Sequence, residues 1–163
     1  MIINNEVQKP DNTTLILKRM LKAPQELAFR AWTTAEHIQQ WMRPEPGMVV
    51  PLVSMDLRVG GKYRIQTKTS EGEFFTAVGE FHEVKVPERL VYTWDWEKDG
   101  GGTEFGELEG NETQLTLEFR ASGKQTQLVL THEKFASTES RDRHEGGWKS
   151  WIARLAKFVE RKQ

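Results

Sequence analysis

The spacing of apolar residues changes along the chain, and each change predicts a different element. Residues 13–21 alternate between polar and apolar positions, which predicts a strand because successive strand side chains point to opposite faces. From Pro24 onward the apolar positions follow helical spacing, and proline suits the first turn of a helix. Trp32 lies on this helix, and Trp41 lies on a second, short helix that Thr34 can cap.

The middle of the chain returns to the alternating pattern. Six further strands are predicted, most of them joined by short links of turn-forming residues, and they cover residues 48–53, 62–69, 74–85, 89–96, 114–121 and 124–134. Consecutive strands with short links favour an antiparallel meander. From about residue 138 to residue 161, apolar residues recur every three or four positions and predict a long amphipathic helix.

Helices at both ends of the chain, with consecutive strands between them, predict an α+β fold. We expect a curved antiparallel sheet of about six or seven strands wrapped round a long C-terminal helix, with two short helices after the first strand. Residues 13–163 are expected to form a single domain, preceded by a flexible polar arm over residues 1–12. The glycine-rich stretch 97–111 predicts a mobile loop.

Charge and composition exclude several classes of protein. The chain has 23 basic and 24 acidic residues and a formal net charge of -1, which argues against sequence-independent binding of nucleic acid. Cysteine is absent, so disulfides, thiolate metal sites and cysteine nucleophiles are excluded. No apolar run reaches the roughly 20 residues of a membrane span. The first residues lack the pattern of a signal peptide, so we expect a cytoplasmic protein.

Short motifs occur in a definite order along the chain, and this order is more specific than any one of them. One is Asp56-Leu-Arg-Val-Gly-Gly61, in which the paired glycines indicate a sharp turn between strands. The others are Lys22-Ala23-Pro24, the helices carrying Trp32 and Trp41, Gly79, Pro87-Glu88-Arg89-Leu90, Thr93-Trp94, Thr131-His132-Glu133 and Gly146-Gly147-Trp148. In these motifs the chain resembles the activator of 90-kDa heat-shock protein ATPase homologue family, within the START-like (SRPBCC; polyketide cyclase and birch-pollen-allergen-like) superfamily.

The resemblance covers roughly residues 13–160 and implies a helix-grip fold in the order β-α-α-β6-α. Folds of this group enclose an apolar cavity between the curved sheet and the long helix. Because the superfamily is functionally diverse, the fold alone does not select a function.

Large aromatic residues are abundant, with six tryptophans and eight phenylalanines, and many fall on faces predicted to point inward. An apolar lining with a few polar groups is the usual composition of a small-molecule site, although the same residues can simply pack as core. The candidate ligand-binding residues are Trp32, Trp41, Tyr63, Ile65, Phe81, Tyr92, Trp94, Trp96, Leu117, Phe119, Leu130, His132, Trp148, Trp151, Ile152 and Leu155.

His132 is the titratable residue of greatest interest. Its neighbours on the same strand face, Leu128 and Leu130, are apolar, so alternation predicts that it points inward. There it could hold a polar group of a ligand or act as an acid or base. The commoner arrangement is a neutral histidine that is hydrogen-bonded within the core.

The remaining histidines suggest no metal site or catalytic site. Phe81 is the better inward-facing residue of its strand, which places His82 outside, and His37 and His144 are expected to be exposed on helices. No histidine pair has metal-ligand spacing, and no nucleophile or nucleotide-binding motif is present. We therefore expect no metal and no cofactor, and we name no catalytic residue.

Two classes of function are favoured. The first is binding of a hydrophobic or aromatic small molecule, or a lipid, between the sheet and the C-terminal helix. The second, implied by the resemblance, is a chaperone-binding role like that of co-chaperones that stimulate the chaperone's ATPase. A cyclase- or hydrolase-like enzyme ranks third, because its candidate residues form no diagnostic set: His132, Tyr92, Tyr63 and Glu80.

A second copy of the chain is a further candidate partner. Val91, Thr93 and Asp95 share the outer face of their predicted strand, and this face could be covered in a homodimer.

Overall fold

The computed structural model of the protein describes residues 5–43, 46–97 and 112–162. Within these ranges the elements follow one another as β1 (Glu6–Asp11), β2 (Thr14–Leu21), α1 (Gln25–Thr33), α2 (Ala35–Trp41), β3 (Val49–Met55), β4 (Lys62–Lys68), β5 (Phe74–Lys85), β6 (Arg89–Trp96), β7 (Thr113–Ser122), β8 (Gln125–Glu133) and α3 (Thr138–Arg161).

The strands form one antiparallel sheet in the order β1-β2-β8-β7-β6-β5-β4-β3. Strands β3 to β8 pair with their neighbours in sequence, and short links join all of them except β6 and β7. The helices α1 and α2 carry the chain from β2 to β3 at the far edge, so β1 and β3 are the two edge strands. The α+β class, the antiparallel sheet, the two short helices and the long final helix confirm the predicted fold.

The sheet has eight strands rather than six or seven, because residues 6–11 form β1 where the sequence predicted a flexible arm. Val7 pairs with Leu17, and the Asp11 carboxylate accepts a hydrogen bond from the Thr13 amide at 2.9 Å in the turn to β2. Polar residues dominate β1, and four of its six positions are exposed. An edge strand of this kind has no buried face, so its sequence carries no alternating apolar pattern.

The core lies between the inner face of the sheet and the helices. Alternation in β6 directs Leu90, Tyr92, Trp94 and Trp96 inward, and all four are buried. The facing stripe of α3 buries its large apolar residues at helical spacing: Trp148, Trp151, Ile152, Leu155 and Phe158. Each fully buried side chain of this size contributes about 1.5–3 kcal/mol to folding.

Strand β5 shows which of its faces points inward. Phe81 is buried and His82 is exposed, as predicted, and the pairing with β6 shifts by one residue between Phe81 and Glu83.

The predicted loop at residues 97–111 lies outside the described residues from residue 98 onward. In the described part of the chain, no helix has both the length and the hydropathy of a membrane-spanning segment.

Candidate functional site

Seven aromatic side chains meet where the sheet faces α1 and α3, and we call them the inner aromatic cluster: Trp32, Tyr63, Tyr92, Trp94, Trp96, Trp148 and Trp151. Trp148 of α3 lies at its centre. The Trp148 ring stacks on Trp32 at 6.0 Å between centroids and lies 5.2 Å from Trp94 and 4.9 Å from Trp151. The cluster therefore joins α1, β6 and α3.

Both tyrosines of the cluster form hydrogen bonds through their hydroxyl groups. Tyr92 accepts a hydrogen bond from the Trp32 indole at 2.9 Å, and Tyr63 donates to the Thr93 carbonyl at 2.6 Å. Burial raises the pKa of both phenols far above the neutral range. Both therefore stay protonated at neutral pH and act as hydrogen-bonding groups.

The absence of a side chain at Gly79 leaves room for the Tyr63 ring beside β6. A Cβ atom at Gly79 would overlap the Thr93 carbonyl oxygen and would lie 2.8 Å from Cε1 of Tyr63. The adjacent amide of Glu80 donates to the Thr93 hydroxyl at 2.9 Å, so a side-chain bond joins the strands here. Glu80 itself lies on the outer side of the sheet, in a cleft with Lys62, and not in the interior where a catalytic base would be needed.

His132 is fully buried and points inward, as its strand pattern predicted. Its Nδ1 accepts from the Trp148 indole at 3.0 Å, and its Nε2 lies 2.6 Å from the Thr113 hydroxyl. Because that hydroxyl donates its single proton to the Trp94 carbonyl at 2.7 Å, Nε2 must carry the imidazole proton. Burial holds the pKa of His132 well below its ordinary value, so the ring is neutral.

His144 of α3 is also buried, and the expectation that it is exposed was wrong. Its Nε2 accepts from the Trp96 indole at 3.0 Å, and its Nδ1 donates to the Ser140 carbonyl at 2.8 Å. Burial lowers its pKa to about 4. Helical spacing would have predicted this burial, because His144 precedes Trp148 by four residues and therefore lies on the same face of α3.

His37 also departs from the expectation of exposure. It is half-buried on α2, and its ring centroid lies 5.2 Å from that of Phe158. Across the described residues, no cluster of three histidine or acidic side chains could hold a metal ion.

Two indole N–H groups of the cluster lack a hydrogen-bond partner. They are Nε1 of Trp94 and Nε1 of Trp151, both buried, and the two rings lie 6.1 Å apart. A buried donor without an acceptor costs about 1–3 kcal/mol. Unpaired donors are rare in folded proteins, so these two indole groups are hydrogen-bonding capacity in the interior that the protein's own atoms do not use.

The interior is closely packed. A cavity of about 10 Å³ lies between the helices α1 and α2 and the sheet, lined in part by Trp32, Phe81 and Tyr92. This volume holds about one water molecule at most. All sixteen candidate ligand-binding residues are buried, and their role in lining a ligand cavity stays a prediction.

The candidates outside the cluster extend the core in two directions. Trp41 packs on Trp32 at 5.0 Å, and its indole donates to the Ala31 carbonyl at 2.8 Å. Phe119 lies 6.3 Å from Trp32 on the other side. The remaining candidates are buried in the same core. They are Phe81, His132 and five aliphatic residues: Ile65, Leu117, Leu130, Ile152 and Leu155.

Among the described residues, two surface clefts have the volume of a small-molecule site. The outer cleft, of about 440 Å³, lies on the outer face of the sheet and includes Arg64, Glu80 and Thr93. Thr93 belongs to the face on which a homodimer was predicted, and that partner stays a prediction. The basic cleft, of about 460 Å³, lies between α2 and α3. It was not predictable from the sequence, because Arg43 follows α2 whereas the other cations lie on α3.

A family model described as "Activator of Hsp90 ATPase homolog 1-like protein" matches residues 22–160. No curated protein matches the chain.

Solved structures share the fold over most of their length. A Rhodobacter sphaeroides protein is similar with a TM-score of 0.82 and 18% identity, covering 98% of this chain and 100% of the other. A Chromobacterium violaceum protein has a TM-score of 0.79 and 24% identity, covering 92% and 99%. An AHSA1 protein from Silicibacter pomeroyi has a TM-score of 0.76 and 26% identity, covering 92% and 99%.

Proposed function

The chain belongs to the activator of Hsp90 ATPase homolog 1-like protein family, and we propose that it uses this fold to bind a small hydrophobic or aromatic molecule between the sheet and α3. The observation that carries the proposal is the pair of unpaired indole donors of Trp94 and Trp151 inside an aromatic interior. A ligand with a carbonyl or ether oxygen would satisfy one or both donors. The surrounding rings would contact its apolar body, which is the usual division of roles in a small-molecule site.

The packed interior sets a condition on this binding. Since the cavity beneath α1 and α2 measures about 10 Å³, a ligand can be admitted only when cluster side chains or α3 move outward. The bound state is then a more open conformation, and the ligand shifts the population toward it. Neutral imidazoles at His132 and His144 keep the site free of buried charge, which suits an uncharged ligand.

Native mass spectrometry of protein purified without denaturation, followed by organic extraction, tests the proposal directly. We expect a copurifying apolar compound, or saturable binding of the neutral fluorescent ketone 6-propionyl-2-(dimethylamino)naphthalene with a blue-shifted emission. A clean apo mass together with no saturable binding of the ketone would overturn the proposal.

Trp151→Phe provides a residue-level prediction. The substitution keeps an aromatic ring but removes one unpaired donor, so the affinity for the ketone should fall about fivefold, the value of one neutral hydrogen bond. Phe74→Leu is the control, because it removes an aromatic ring at an exposed position of β5 outside the candidate site and should leave the affinity unchanged. Fluorescence titration measures both, and equal affinities in wild type and Trp151→Phe would contradict the assignment.

A second function is suggested by the family description, which names an activator of a chaperone ATPase. In this alternative the protein binds the cognate 90-kDa heat-shock chaperone. We expect a saturable increase in the chaperone's ATPase rate when this protein is added. Failure to copurify with the chaperone and an unchanged ATPase rate would end this alternative.

A further inference from the structure

The basic cleft is formed by one stripe of α3 and the end of α2. Its α3 residues recur at helical spacing and therefore share a face, and the nine lining residues are Gln40, Trp41, Arg43, Ser150, Ala153, Arg154, Lys157, Phe158 and Arg161. Four of these nine are cationic and none is acidic, whereas the whole chain has a formal net charge of -1. The cleft thus concentrates positive charge that the composition does not reveal.

Among the described residues, the four cations of the cleft have no counter-ion, a property that they share with an exposed arginine elsewhere, Arg30. The four are Arg43, Arg154, Lys157 and Arg161. Elsewhere, carboxylates pair with Arg58, Arg64, Arg89, Arg120 and Arg141. Like charges held together without a counter-ion repel one another, and a bound anion would relieve that repulsion.

Arg43 supplies a second, independent observation. Its Nε atom is buried and has no hydrogen-bond partner. A guanidinium donor cannot lose its proton at physiological pH, so the unpaired Nε–H calls for an acceptor. Arg43 also lines the cleft, so an anion bound there would lie next to this guanidinium group.

Three apolar residues also line the cleft, Trp41, Ala153 and Phe158, and we call them the apolar floor. The volume of about 460 Å³ exceeds what a single inorganic anion needs. Guanidinium groups match the oxygens of phosphate in a bidentate geometry. We propose that the basic cleft between α2 and α3 binds an organic phosphate, with its phosphate on Arg43, Arg154 and Lys157 and its apolar part on the floor.

This site is separate from the interior site proposed above. Its ligand is an anion, whereas the interior ligand is uncharged. The end of α3 carries the negative end of the helix dipole, so the attraction comes from the side chains and not from the backbone. The phosphate is therefore expected nearer Arg154 than Arg161, which lies in the last turn.

NMR titration of the full-length protein with phenyl phosphate and with inorganic phosphate, at constant ionic strength, tests the proposal. We expect saturable shifts of the Arg43 and Arg154 Nε–H signals, with phenyl phosphate binding several times more tightly than inorganic phosphate. Absence of saturable shifts at these arginines would overturn the site, and equal affinities would overturn the role of the apolar floor. The neutral ketone leaves these signals unchanged if the two sites are separate, so either proposal can fail alone.

The double variant Arg154→Gln/Lys157→Gln should lower the affinity for phenyl phosphate at least tenfold, because it removes two charged donors from the cleft. Arg30→Gln/Lys124→Gln is the matched control, because it removes the same charges from exposed positions outside the cleft. An equal loss of affinity in both double variants would show that only the overall charge matters and would overturn the proposal.

Discussion

Acidification should destabilise this protein by about 3 kcal/mol through His144 alone as the pH falls from about 6.5 to about 4. The pKa of His144 is lowered from 6.5 to about 4 by burial in the folded protein, whereas the unfolded chain keeps the ordinary value. Between these values the unfolded state binds more protons than the folded state, so the free energy of unfolding rises with pH. This contribution is fully present above about pH 6.5 and is lost as the pH falls toward 4.

His132 acts in the same direction, because its pKa is also held below the ordinary value by burial and, to a smaller extent, by His144. The two rings lie 5.2 Å apart, so protonating both would add repulsion to the cost of burying charge. Acid unfolding should therefore be steeper than a single histidine would give.

Urea unfolding followed by tryptophan fluorescence at a series of pH values measures this effect. His144→Gln should flatten the dependence on pH, because glutamine does not titrate. His82→Gln is the matched control, since His82 is exposed, and its curve should parallel that of the wild type. A free energy of unfolding that stays constant from about pH 7 to about pH 4.5 would contradict the prediction.

Gly79→Ala should lower the free energy of unfolding by about 3–4 kcal/mol, which combines overpacking with the loss of a buried hydrogen bond. The new methyl group would overlap the Thr93 carbonyl oxygen, which belongs to the backbone of β6 and cannot turn aside. It would also displace the Tyr63 ring, whose hydroxyl donates to the same carbonyl. The strands β5 and β6 must then separate locally.

Gly146→Ala is the control for this substitution. Gly146 lies within α3, is exposed, and has open space where a Cβ would be placed. Alanine should stabilise the helix there by about 0.5–1 kcal/mol, the reverse of the effect at Gly79. Chemical denaturation measures both variants, and a Gly79→Ala midpoint equal to that of the wild type would refute the packing argument.

The fold was predictable where alternation or helical spacing was strong. The bounds of β5 and β6 and the inward position of Phe81 follow from apolar residues at every second position. Strand β1 was not predictable, because an exposed edge strand is specified by the free backbone groups of its neighbour and not by its own side chains.

The location of the candidate site was predictable from the sequence, but whether its aromatic residues line a cavity or fill it was not. Aromatic residues that line a cavity and aromatic residues that fill it have the same sequence pattern, so only the structure shows the packed interior. The unpaired donors of Trp94 and Trp151 depend on three-dimensional neighbours, as does the basic cleft, whose Arg43 and Arg154 are distant in sequence.

The edge positions of β1 and β3 bear on how copies of this protein can associate. Pro10 lies in β1 and Pro51 in β3, and proline has no N–H to donate to an added strand. The register of each strand shifts beside its proline, which further interrupts the ladder that an incoming strand would need. Sheet-to-sheet polymerisation is thus discouraged at both ends, although Val49 and Leu52 of β3 are exposed apolar residues. Self-association through the faces of the sheet or through the helices is therefore favoured over pairing at the edges.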